Sequence, residues 1–306
     1  MAYIEGCKAG SPIDSRIFWV SKKPKEITQG FNQAYKQTIS NGSVKRLLKE
    51  LGYGYRKLSK QLATGSYANR NEQFEIITTL MLIMSLESPI ISIDCKKKER
   101  LGNLYREGKC YSQLPIKVYD HDYDYLSEGK VIPHGIYDLQ ANTGYISIGN
   151  SSETADFVID NLRWWWTEYG IHHYPDASNL LLLCDAGGGN SYRHYIFKAR
   201  LLALSTELGI AIIVAHYPPY ASKWNPIEHR LFSHMHQAMS GVVFSSYQIV
   251  KERMEATSTK TGLTVIVRLN LKKYQKGIKV DKSMITTSNR IQRHLRIPDL
   301  NYRIIP

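Results

Sequence analysis

The chain of 306 residues is 43% hydrophobic and 22% charged, which excludes a disordered polymer and supplies enough apolar residues for a sizeable core. Its net charge of +13 is uneven: residues 1–70 and 242–306 each carry a balance of +9, while 71–241 carries −5, a pattern that fits a polyanion-binding protein with carboxylates at its centre. The four cysteines form no C-x-x-C pair, which argues against a zinc knuckle or a disulfide framework, and the apolar stretch 76–93 is too interrupted by Thr78, Thr79, Glu87 and Pro89 to span a membrane.

Residues 1–15 give no clear pattern. Pro24 sits where a helix can start, and Ile27, Phe31 and Tyr35 follow at helical spacing. Ser40-Asn41-Gly42-Ser43 punctuates the chain, and Ser43 can cap a second helix over 44–51 that Gly52 ends. In that helix Leu47 and Leu48 are expected inward, with Lys45, Arg46 and Lys49 outward. Two short helices, the second basic, give the helix-turn-helix outline; a helical hairpin without a DNA role is the alternative. Residues 53–70 read as a basic linker and 71–84 as a helix. A strand over 90–94 ends in Asp94, and 95–130 is charged and irregular. Strands over 135–139 and 144–148 flank a turn at 140–143. A helix is expected over 154–169, then a fully apolar strand over 180–184, central for that reason. A helix over 195–208 stops at Gly209, a strand covers 210–215, and Pro226 opens a helix to about residue 239.

This order predicts an α/β fold: an RNase H-like mixed five-stranded sheet flanked by helices. It follows a small all-α helix-turn-helix region. The expected domains are 1–70, 71–241 as the catalytic domain, and a basic C-terminal extension over 242–306.

Three acids fall at telling places. Asp94 ends the first strand, Asp185 ends the fourth, and Glu228 lies in the first turn of the helix after the fifth. In the RNase H-like order the first and fourth strands are neighbours, and that helix crosses their edge. Each acid alone is ordinarily a turn-former or a helix-dipole partner. Together they form a cluster that repels itself unless a cation lies among them, and hard oxygen ligands suit Mg²⁺ or Mn²⁺.

The segments Ser92-Ile93-Asp94-Cys95-Lys96-Lys97-Lys98-Glu99 and Cys184-Asp185-Ala186-Gly187-Gly188-Gly189-Asn190 carry a resemblance. So does the run from His216-Tyr217-Pro218-Pro219 through Asn225-Pro226-Ile227-Glu228-His229-Arg230. Asp120-His121-Asp122 and Ile132-Pro133-His134-Gly135-Ile136-Tyr137-Asp138 add to it. Together they resemble the ISAzo-type (Rhodopirellula-type) insertion-sequence transposases of bacteria, over roughly residues 40–306. Pro-Pro followed by Asn-Pro-Ile-Glu is shared more widely, with mariner-like transposases.

The resemblance implies a DDE transposase with Asp94, Asp185 and Glu228 as catalytic triad and metal ligands. It implies hydrolysis at a transposon end and strand transfer into target DNA. The partner is then double-stranded DNA, engaged as a homodimer, in the bacterial cytoplasm at the nucleoid. Cys95 stands where Thr is expected and Tyr220 where Gly is expected. More helical sequence is expected before residue 1.

Lys96, Lys97, Lys98 and Lys223 can hold phosphates near the cut; a solvated charged loop is the alternative. The glycines at 187–189 lack the following Gly-Lys-Ser/Thr of a P-loop and suit either a backbone that passes close to the metals or DNA or a tight turn. His216 can orient a ligand or be structural. Trp164, Trp165 and Trp166 read as mainly structural. Two rival functions remain open: another RNase H-like nuclease, and a transposase-derived protein that only binds DNA.

Overall fold

The computed structural model describes residues 2–10, 16, 18–56, 65, 67–84 and 88–306. The chain divides into two compact units, Met1–Leu62 and Ala63–Pro306. Of the expected basic linker, residues 57–64 and 66 lie outside the described residues.

In the first unit, α1 (Ala2–Glu5) precedes β1 (Lys8–Gly10) and β2 (Phe18–Val20), which pair antiparallel with Lys8 opposite Val20. The unit is therefore not all-helical as expected; Phe18-Trp19-Val20 is a run of strand-favouring side chains. Next come α2 (Pro24–Tyr35) and α3 (Asn41–Glu50). Lys36, at φ 49°, ends α2, and Asn32 clasps the joint by bonding both backbone groups of Ile39. Ser40 caps α3, one turn earlier than the expected Ser43: its Oγ accepts the Ser43 N–H at 3.0 Å. Val44 is the buried residue of α3, whereas Leu47, expected inward, is 45% exposed. Positions 44 and 48 share the inner face, and 47 turns away from it. Lys45, Arg46 and Lys49 are exposed as expected.

The second unit opens with α4 (Arg70–Ile83), β3 (Ile90–Cys95), β4 (Glu99–Leu101), β5 (Gly129–Asp138) and β6 (Thr143–Gly149). After α5 (Ala155–Trp165), a π-helical turn leads into α6 (Ile171–His173). Then come β7 (Asn179–Cys184), α7 (Tyr195–Leu208) and β8 (Ala211–His216). A second π-helical turn, Glu228–Phe232, runs into α8 (Ser233–Ala238). The chain closes with α9 (Tyr247–Glu255), β9 (Thr264–Asn270), α10 (Lys282–Thr286), β10 (Ile291–Arg293) and β11 (Asn301–Ile304).

The heart of the sheet has the order β6-β5-β3-β7-β8, with β5 antiparallel to both neighbours and β3, β7 and β8 parallel. This is the expected RNase H-like arrangement. The sheet is wider than five strands, however. β9 adds parallel to β6 at one edge, and β11 and β10 extend the other beyond β8. Residues 242–306, expected as an extension, thus supply strands to both edges.

The run Leu180–Leu183 is apolar throughout because β7 is covered on both faces. Leu180 and Leu182 pack on the side of α5 and α7, while Leu181 and Leu183 pack beneath α4. The β5–β6 turn is held by Asp138, whose Oδ1 accepts the N–H of Gln140 and of Ala141 at 3.0 Å each. All three tryptophans of the triplet are structural. Trp165 and Trp166 are buried, and Trp164 lies half-buried with the Arg268 guanidinium 4.3 Å from its ring centre. Among the described residues no helix is long and apolar enough to cross a membrane.

Candidate active site

Strand register places the first two acids. In the parallel β3–β7 pair, Ile93 stands opposite Cys184. The next residue on each strand is Asp94 or Asp185, so the two carboxylates leave neighbouring strands, about 4.8 Å apart, at the same C-terminal edge.

Three features bring Glu228 to that edge. Asn225, fully buried, donates from Nδ2 to the Ile93 carbonyl at 3.1 Å, and its Oδ1 accepts from Ser92 Oγ at 2.5 Å. The same Ser92 Oγ accepts the Ile227 N–H at 3.1 Å, so one strand residue grips the chain on both sides of Pro226. Gly135, opposite Asp94 in the β3–β5 pair, provides the clearance. A Cβ there would stand 2.7 Å from Phe232 and 2.8 Å from Ile227. Glu228 itself begins the π-helical turn, a local widening that recurs at functional sites.

All three acids are half-buried. Asp94 accepts the Cys95 N–H at 2.7 Å and lies within hydrogen-bonding reach of Glu228. Burial, then the charges of Asp185 and Glu228, push its carboxyl up to about 9. Burial also raises Asp185, opposed by the Gly187 N–H and by Asn190, whose Nδ2 donates at 3.2 Å. The site therefore concentrates like charge that protons or a cation must relieve. Among the described residues no three His, Cys, Asp or Glu side chains are already closed around a point that could hold a metal ion. The acids form an open edge, not a preformed cage.

His216, open between an orienting and a structural role, is fully buried and bonds the Asp185 backbone. Its Nδ1 must donate to the Asp185 carbonyl, 2.9 Å away, leaving Nε2 to accept from the Tyr302 hydroxyl at 3.3 Å. Burial lowers its pKa to about 4, so it stays neutral. Gln73 on α4 donates to the His216 carbonyl at 2.8 Å and bonds Asn301 on β11. Sequence reasoning missed Gln73, Asn301 and Tyr302, because nothing local ties positions 73 and 301 to the acids. In the glycine run Gly188 has φ 63°, as the tight turn requires, and a Cβ on Gly189 would lie 2.9 Å from the Thr154 backbone. Tyr220, where a glycine was expected, holds φ 65°, a left-handed conformation that favours glycine.

Of the expected phosphate-binding lysines, Lys97 and Lys223 are exposed and Lys98 pairs with Glu153 at 3.1 Å. Lys96 is different. It is 7% exposed and bonds Glu99 at 2.9 Å, while the other Glu99 oxygen takes Arg106 at 2.6 Å. Lys96 is thus a structural cation, because Glu99 draws it inward. Lys96→Ala should destabilise the fold by about 1–3 kcal/mol, since it leaves one Glu99 oxygen without its partner while Arg106 still holds the other. The salt dependence of DNA binding should stay unchanged. A denaturant titration and a salt series check the two halves; an intact fold with weakened DNA binding contradicts the assignment.

The family model describing the Rhodopirellula transposase DDE domain matches residues 1–306. Similar solved structures include a Mos1 transposase paired-end complex with left transposon end (16% identity, 76% of this chain and 65% of that chain, TM-score 0.49). Two others are Mos1 mariner paired-end complexes. The one with Mn has 16% identity, covers 76% of this chain and 65% of that one, and has a TM-score of 0.46. The one with Mg has 15% identity, covers 80% and 74%, and has a TM-score of 0.46. The chain spans just under two thirds of the length of the first of these. No curated protein matches. With its strand order and its family match together, the chain belongs to the Rhodopirellula transposase DDE domain family.

Proposed function

We propose that this protein is a DDE transposase that cuts double-stranded DNA at an element's ends and joins the freed 3′-OH to target DNA, acting as a dimer at the bacterial nucleoid. Asp94, Asp185 and Glu228 are its metal ligands, for Mg²⁺ or Mn²⁺. The observation that carries this reading is the convergence of the three acids at one sheet edge, with Asp94 held far above the usual carboxylate range by burial and its acidic neighbours. An all-oxygen, crowded and partly open donor set fits hard divalent ions better than zinc. Such ions, when bound, would activate the attacking oxygen and stabilise the leaving one.

The chain's own residues do the positioning. His216 and Asn190 fix Asp185 from either side, and the Ser92–Asn225 contact holds the Glu228 turn against the strand of Asp94. Lys97, Lys98 and Lys223 are placed to meet backbone phosphates. Lys45, Arg46 and Lys49 on α3 form the proposed helix-turn-helix contact.

A thermal-shift series tests the metal reading without DNA. Mg²⁺ should raise the melting temperature of the wild type. Asp94→Asn should raise the metal-free melting temperature, by about 2–4 °C for each kcal/mol of repulsion relieved, and abolish the Mg²⁺ shift. An undiminished Mg²⁺ shift in Asp94→Asn contradicts the ligand assignment. For the DNA contact, the triple change Lys45→Ala, Arg46→Ala, Lys49→Ala should flatten the log–log salt slope of end binding by about 0.9 for each phosphate released. An unaltered slope removes α3 from the interface.

A further inference from the structure

We propose that a second site, beside the acids, seats one backbone phosphodiester of the DNA strand being processed, and that Lys130 and Lys276 are its principal cations. The proposal extends the DNA-processing reading above. The site is a cavity of about 280 Å³ lined by Lys98, Lys130, Lys276, Ser151, Ser152 and Glu153. Gly188 and Ile132 complete its wall.

The three lysines come from three separate segments: the β3–β4 connection, β5, and the stretch after β9. Neither Lys130 nor Lys276 makes an ion pair among the described residues, and both are exposed. Lys98 is held by Glu153, which is only 17% exposed. With Glu153 counted, the cavity carries two positive charges in excess, more than one phosphodiester needs. Water and salt screen the two exposed lysines, so their gathering costs little and the excess charge remains free to meet an anion.

The walls are fixed rather than fortuitous. Ser151 Oγ donates to the Lys272 carbonyl at 3.3 Å and accepts the Tyr274 N–H at 3.2 Å, which clips the segment leading to Lys276 onto the loop before α5. The Tyr247 hydroxyl donates to the Lys130 carbonyl at 3.1 Å and pins that position of β5.

Location supplies the strand's path. The glycine loop leaves Asp185 and reaches this cavity at Gly188, where a Cβ would run into the Glu153 carboxylate. Asp185, Ala186 and Gly187, just before it in the same loop, line a separate cavity of about 310 Å³. A strand lying across the acids and over this loop meets the lysine cavity next. The ligand is therefore a phosphodiester neighbouring the scissile one. Its role is to fix register, as backbone contacts do, and not to read sequence.

The test combines the double change Lys130→Ala, Lys276→Ala with DNA-end duplexes in which single phosphates are replaced by neutral methylphosphonates, and reads binding by fluorescence anisotropy across a salt series. The wild type should lose affinity at one phosphate near the cut. The double variant should bind more weakly, with a slope flatter by about 0.9, and should no longer respond at that phosphate. The conservative pair Lys130→Arg, Lys276→Arg should restore the slope. Equal slopes and an unchanged methylphosphonate pattern overturn the proposal. So does inorganic phosphate that binds the wild type, but not the double variant, while lowering DNA affinity no more than chloride does at equal ionic strength, since the cavity would then serve a free anion. The readout is binding in the absence of divalent metal. A wild type that never cuts DNA would sink the proposed function while leaving this result intact.

Discussion

Asp185→Asn should abolish DNA cleavage and strand transfer while leaving the fold and end binding in place. Asparagine keeps the size of aspartate and one carbonyl oxygen, so the Asn190 contact and the β7 register have no reason to change. The substitution removes a charge from a site where burial and neighbouring carboxylates already disfavour it, so the metal-free protein should be as stable as the wild type or slightly more so. What is lost is a negative charge beside Asp94, at the proposed metal site. Removing one preorganised electrostatic contact from an active site costs roughly 10²–10³ in rate, and a ligand to the metal should cost at least that. Cleavage and gel-shift assays in Mg²⁺ on the element's own ends separate the outcomes. Full cleavage by the variant contradicts the metal mechanism. No cleavage by the wild type would leave a protein that only binds DNA.

Asn225→Ala should have a comparable effect through position alone. The alanine leaves the Ile93 carbonyl without its donor and the Ser92 hydroxyl without its acceptor, at about 1–3 kcal/mol for each buried group left unpaired. It also frees the Glu228 turn from the strand that carries Asp94. A displacement of about 1 Å there is enough for roughly 10²-fold in rate. The loss should appear in kcat, with DNA affinity nearly unchanged, because Asn225 is fully buried and offers no surface to DNA. A parallel drop in both, or stability loss without a kcat effect, would make Asn225 merely structural.

The elements that place the acids were legible because their signals are local. Short apolar runs ending in Asp94 and Asp185, and Pro226 opening a helix before Glu228, gave the five central strands in order. The rest depends on contacts far apart in sequence. β11 pairs with β8 nearly ninety residues earlier, and β9 lies parallel to β6 with no hairpin turn to announce it. Three- and four-residue strands such as β10 and β11 carry too little alternation to stand out. The Lys96-Lys97-Lys98 run reads as three equivalent cations, for phosphates or for solvent, yet Glu99 draws the first lysine inward and leaves the second outside. The cap of α3 moved from Ser43 to Ser40 because both serines suit the role and only the backbone conformation decides. The π-helical turn at Glu228 breaks the 3.6-residue spacing by which a helix is recognised.

The most direct measurement is anomalous diffraction from crystals of the protein bound to an end duplex and soaked in Mn²⁺. The account predicts an anomalous peak bounded by carboxylate oxygens of Asp94, Asp185 and Glu228, at about 2.0–2.3 Å as hard divalent ions require. A Mn²⁺ peak elsewhere on the chain, with these three side chains free of metal in the presence of bound DNA, would contradict it.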